Sequence, residues 1–218
     1  MSEFDGKVVL IAGAGKGLGR ALAEAFAARG AIIAAQDLTP INLDETVARL
    51  QAANGRAQAY VADLASKLAL QTMLYEILDE FGRIDVLINC VSADPRDALL
   101  EMDEWDWRRT VDINLTGPFL LLQSVAREMR AQGGGVIVQV IQADANSAAG
   151  LAAKSGLIGL ARAAANQLEA LNIRVNAVCS GFPEAELEAD LPADPVALVT
   201  FLCSHEAANF SGRVLQIK

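Results

Sequence analysis

After a short β-branched run the chain reads Ala12-Gly13-Ala14-Gly15-Lys16-Gly17-Leu18-Gly19 and passes straight into a helical pattern. Glycines there permit a tight turn with positive φ and let the backbone approach a pyrophosphate without an intervening Cβ. The free N–H groups opening the next helix, aided by its dipole, would face the phosphates. Asp37 closes the second apolar run, 18 positions after Gly19. A carboxylate at that distance accepts hydrogen bonds from both adenosine-ribose hydroxyls and repels a 2′-phosphate, which favours NAD(H) as the cofactor. Lys16 points mildly the other way, because an ammonium near the ribose pairs with a phosphate, and NADP(H) stays open.

These groups need a scaffold that brings them to one edge. Apolar runs at Lys7–Ala12, Ala31–Gln36, Ala57–Ala62, Asp85–Asn89, Val136–Ile141, Ile173–Val178 and Val214–Ile217 predict seven strands. Between them, helical spacing covers Gly17–Arg29, Ile41–Ala53, Lys67–Phe81, Asp103–Ala131, Ala148–Leu171 and Pro195–Ser204. Strands alternating with amphipathic helices imply βαβ units and a parallel sheet covered on both faces. Right-handed crossovers then give an α/β, Rossmann-like doubly wound domain of about seven parallel strands. No linker or repeat divides the chain, so residues 1–218 read as one domain.

Composition narrows the partners. At 53% hydrophobic residues the chain is long and apolar enough to bury a core without staples, which excludes disorder. A formal charge of −9 argues against nucleic acid or an anionic membrane as partner. No stretch approaches the ~20 apolar residues of a membrane span, and the N-terminal residues lack a signal-peptide pattern. Cys90, Cys179 and Cys203 are odd in number and widely spaced, which fits a reducing cytoplasm; with His205 the only histidine, no metal site is expected. Cys90 reads as a buried structural thiol, His205 as a surface cap, and Trp105 and Trp107 as packing for the start of the long helix.

The spacing Gly13-x-x-x-Gly17-x-Gly19 resembles the short-chain dehydrogenase/reductase family, and the likeness runs over nearly the whole chain. Asp63 and Leu64, in Val61-Ala62-Asp63-Leu64, match the family's adenine-binding segment. Asp85-Val86-Leu87-Ile88-Asn89 matches its fourth strand, and Trp107 through Asn114-Leu115-Thr116-Gly117 the helix with its catalytic asparagine. Ile173-Arg174-Val175-Asn176-Ala177-Val178 matches its sixth strand. The resemblance implies cofactor contacts from Gly13, Gly15, Lys16, Gly17, Leu18, Gly19, Asp37, Asp63, Leu64, Asn89 and Lys154. It also implies hydride transfer between the nicotinamide and a small carbonyl or alcohol.

At the reaction centre the sequence departs from that pattern. The family uses a tyrosine as proton donor, a lysine four residues later and a serine on the preceding strand. Lys154 is retained, but the tyrosine position is Gly150, and Ile141 and Gln142 stand at the serine. An unassisted phenol already has pKa ≈ 10, and here the matching position has no phenol; Tyr60 and Tyr75 fall in the cofactor half, far from this helix. The family's Asn-Asn-Ala-Gly is Asn89-Cys90-Val91-Ser92, and its carboxamide-holding threonine is Ala185, preceded by Pro183. Ser147, Asn146 and Asp144 are candidates for capping the next helix. Asn114 and Lys154 remain as a residual pair; Pro118, four residues after Asn114, deprives the Asn114 carbonyl of an intrahelical donor. That pair either holds a proton-relaying water or has simpler duties, Lys154 on the nicotinamide ribose and Asn114 in a kinked helix. The expectation is a dinucleotide-binding protein without the usual activity. The alternative is an active oxidoreductase that moves its proton through Lys154 and a water or through a partner's residue. Gly156, Gly159 and Ala163 share one helix face, as a homodimer, a homotetramer or a hetero-oligomer with a catalytic paralogue would require.

Overall fold

The computed structural model describes residues 2–93, 98–143, 147–182, 190–191 and 194–217. Its sheet contains β1 (Val8–Ala12), β2 (Ile32–Asp37), β3 (Arg56–Val61), β4 (Val86–Asn89), β5 (Gly135–Gln142), β6 (Ile173–Ser180), β7 (Asp190–Leu191) and β8 (Val214–Ile217). They lie in the order β3-β2-β1-β4-β5-β6-β8-β7, and every neighbouring pair is parallel. The seven expected strands are therefore present, joined by a two-residue eighth at one edge.

Parallel strands bury both faces, and this sheet does so by alternation. Leu10 and Leu87 face a core completed by Leu70 and Met73 of α3 (Lys67–Phe81), Leu121 of α5 (Gly117–Gln132) and Leu157 of α6 (Ala148–Leu168). Val9 and Ile11 face a second core completed by Leu22 and Phe26 of α1 (Gly17–Ala27) and Leu43 of α2 (Pro40–Ala52), with Leu202 of α7 (Pro195–Cys203). Each such buried aliphatic side chain contributes about 1.5–3 kcal/mol. Because β1 lies between β2 and β4, the chain reverses direction across the sheet there. A crevice opens beyond the carboxyl ends of β1 and β4.

Two expectations need correction. The predicted helix Asp103–Ala131 is instead α4 (Glu104–Val111), a π-helical turn at Asp112–Thr116, and α5. Pro118 offers no N–H to the Asn114 carbonyl, and the ladder widens so that Gly117 N–H reaches the Asp112 carbonyl five residues back. Trp105 and Trp107 do not bury themselves at the helix start; they are 69% and 42% exposed. At the amino ends of β1 and β4, opposite the crevice, Asp85 accepts hydrogen bonds from Val8 N–H (3.0 Å), Lys7 Nζ (3.1 Å) and Arg83 Nη2 (2.6 Å). Burial would raise its pKa, but these donors outweigh it and hold the carboxyl below its ordinary value.

Candidate functional site

The crevice is a cleft of about 500 Å³, walled by the loop after β1, the end of β2, the segment after β3 and the segment after β4. Gly13, Lys16, Gly17, Leu18 and Gly19 form its first wall. Here φ is +78° at Gly13 and +56° at Gly17, both left-handed. A Cβ on Gly19 would stand 2.1 Å from the Gly13 carbonyl oxygen, and one on Gly13 would stand 3.0 Å from the Cys90 backbone. Backbone therefore packs where no side chain fits, and α1 begins at this wall with Lys16 as its N-cap.

The loop is held in place from behind. Gly13 N–H and Ala14 N–H both donate to the Gln36 carbonyl at 2.9 Å. Arg20 Nη2 donates to the Gly15 carbonyl at 2.6 Å, and its Nε to Thr46 Oγ1 at 2.9 Å. The Thr46 hydroxyl in turn donates toward the carbonyls of Ala14 and Gly15. Neither Arg20 nor Thr46 was selected from the sequence. The available signal was a cation early in a helix, where the dipole disfavours it unless a fixed partner compensates.

The second wall carries the two carboxylates. Asp37 Oδ2 accepts the Gly15 N–H at 2.9 Å, and Oδ1 accepts the Leu38 N–H at 2.8 Å. Asp63 Oδ1 accepts the Ala65 N–H at 2.9 Å, and Oδ2 accepts from Arg109 Nη2 at 3.1 Å. Leu64 lines the cleft beside Asp63, and Arg109, also missed in the sequence, lines it from α4. Gly15 is not part of the lining: the Asp37 carboxylate occupies the space its Cβ would need.

The remaining candidates lie under or behind the cleft. Asn89 is fully buried; its Nδ2 donates to Gln139 Oε1 at 2.7 Å and its Oδ1 accepts the Val91 N–H. The Asn114 side chain is 1% exposed, with Nδ2 donating to the carbonyls of Ala93 and Thr110 while Oδ1 accepts the Ala93 N–H. Lys154 is 2% exposed, and its ammonium donates to the Gln142 carbonyl at the end of β5. The Gln142 side chain is exposed and the residue lines the cleft. Gly150 sits in the first turn of α6, where its N–H donates to the capping Ser147 Oγ at 3.1 Å. Asp144, Asn146, Pro183 and Ala185 lie outside the described residues.

Other groups have plain roles. Tyr60 bonds Glu80 from β3, and Tyr75 is exposed on α3, so neither phenol approaches α6. Burial pushes the Cys90 thiol up to about 12, which leaves no thiolate near neutrality. His205 Nδ1 lies 2.6 Å from Glu3 Oε1 at the surface. Among the described residues no three His, Cys, Asp or Glu side chains gather to hold a metal ion.

The arrangement fits an adenosine diphosphate group. Its cradle has no room for a Cβ at Gly13 or Gly19, its carboxylates are fixed, and the buried Gln36 beneath it keeps an unpaired Oε1 while its Nε2 donates to the Ala62 carbonyl. Known proteins are similar to the chain as a whole. The short chain dehydrogenase family matches residues 7–195. The 3-oxoacyl-(acyl-carrier-protein) reductase FabG of Thermotoga maritima is 33% identical, with 99% of this chain and 97% of that protein covered. D-threitol dehydrogenase of Mycolicibacterium smegmatis is 35% identical over 81% of this chain and 70% of its own length. The hydroxysteroid dehydrogenase structure from Escherichia coli superposes with a TM-score of 0.89 at 30% identity, covering 99% of this chain and 97% of that one.

Proposed function

The chain belongs to the short-chain dehydrogenase family, and from that membership we propose a nicotinamide-dinucleotide-binding protein that lacks the usual hydride-transfer activity. When bound, such a cofactor supplies a hydride donor or acceptor at its nicotinamide. Gly17, Leu18 and Gly19, in the first turn of α1, would hold the pyrophosphate through backbone N–H groups, with Gly13 leaving room for its approach. Asp37 would accept the ribose hydroxyls and repel a 2′-phosphate, so NAD(H) is favoured over NADP(H). Asp63, with Leu64, would receive the adenine. This reading rests on one observation above all: Gly150, at the position that matches the family's tyrosine, has no side chain to protonate a carbonyl. General acid catalysis contributes about 10²–10⁴-fold, so its removal takes most of the rate.

The second reading, an active carbonyl or alcohol oxidoreductase, is supported by the reductase and dehydrogenase names of the relatives and by the retained Lys154. In it Lys154, through a water, or a partner's residue moves the proton. Gly156, Gly159 and Ala163 form an exposed face of α6 beside a groove lined by Phe119, Leu122 and Leu168, which suits a second copy or a paralogue. Residues 1–218 would act as one unit in the cytoplasm. No helix of the described residues is long and apolar enough to cross a membrane. Calorimetric titration with NAD(H) and NADP(H), followed by a carbonyl turnover screen on the same sample, tests the proposal. Micromolar or tighter NADH binding with negligible turnover is expected; turnover at the rate of an ordinary reductase would establish the second reading instead.

A further inference from the structure

Arg109 projects from α4 to the far wall of the cleft. The ion pair it forms with Asp63 joins residues 46 positions apart, and both line the cavity. With Ala65 N–H on one oxygen and the guanidinium on the other, the Asp63 carboxylate cannot swing, yet each oxygen retains a lone pair. The loop that carries Asp63 also rests on the start of α5, beyond the π turn that follows α4: a Cβ on Gly117 would meet the Leu64 backbone at 3.2 Å and the Ala65 backbone at 3.3 Å. Among the described residues, the charged lining comprises Asp37, Asp63, Lys16 and Arg109. Without Arg109 two carboxylates would face a pyrophosphate against a single ammonium.

We propose that Arg109 is a positioning residue for purine recognition, presenting the Asp63 carboxylate so that the cleft prefers a 6-amino purine to a 6-oxo purine. The inference rests on the dinucleotide reading above. An exocyclic amino group donates to a held carboxylate, whereas a 6-oxo group places an acceptor against it. A carboxylate released from Arg109 could turn away from either base, and the discrimination would shrink.

The test is calorimetric titration of the full chain and its Arg109→Gln and Asp63→Asn variants with NADH and with its hypoxanthine analogue. The wild type should prefer NADH by about tenfold, the scale of one hydrogen bond to a charged group. Arg109→Gln should bind NADH about tenfold more weakly and prefer it only about twofold. Asp63→Asn should shrink the preference similarly, and the double variant should lose less than the sum of the two. A purely structural role would weaken both ligands equally and leave the ratio intact. That result, or an unchanged Arg109→Gln, would overturn the inference while the dinucleotide reading stood. A wild type that bound neither ligand would end both. Should Arg109→Gln fail to fold, Asp63→Asn carries the same ratio test.

Discussion

The two ends of the cleft use their polar side chains in opposite ways. At the proposed adenosine end, every carboxylate oxygen of Asp37 and Asp63 accepts at least one protein donor, and Asp37 Oδ2 and both Asp63 oxygens still keep a lone pair for a ligand. At the other end, both Nδ2 hydrogens of Asn114 go to backbone carbonyls, and the buried Lys154 ammonium meets the Gln142 carbonyl. The first pattern fixes the carboxylates ahead of any ligand; in the second, Asn114 and Lys154 brace the segments around them.

The largest expected effect comes from the wall both ends depend on. Gly19→Ala would drive a Cβ to 2.1 Å from the Gly13 carbonyl oxygen. NADH affinity should fall roughly 100-fold or more, with a lowered melting temperature, as strained backbone substitutions do. Gly159→Ala, whose Cβ meets nothing within 4 Å, should leave both unchanged. Equal behaviour of the two variants in calorimetry and thermal melts would break the comparison. A smaller effect, confined to stability, is expected far from the cleft. Asp85 is held ionised by Arg83, Val8 N–H and Lys7 against its burial. A lowered folded pKa stabilises above the unfolded value of about 3.9, and that stabilisation is lost as pH falls through the folded value. Asp85→Asn should cost about 1–3 kcal/mol at neutral pH in denaturant melts, flatten the acid limb, and leave the NADH Kd unchanged.

Much of this was readable before any coordinates. Alternating apolar runs give the strands within a residue or two, since a buried parallel strand needs an unbroken apolar stretch, and α3 and β8 match their predicted limits. The glycine loop and Asp37 were readable because their requirement is local: positive φ, a missing Cβ and a fixed spacing. The π turn was half visible, since Pro118 announces an unmatched carbonyl without saying how the helix repairs it. Arg20, Thr46 and Arg109 escaped because their partners lie 5 to 46 positions away and only the folded sheet brings them together. For the same reason no sequence pattern could place the Lys154 ammonium on the Gln142 carbonyl.

The contrast between the two ends is most directly measured by saturation-transfer NMR on NAD⁺ in exchange with the wild-type protein. Saturation should appear most strongly on the adenine and adenosine-ribose protons and fall toward the nicotinamide ring. Saturation as strong on the nicotinamide as on the adenine would show that the far end still grips its ligand and would contradict the account.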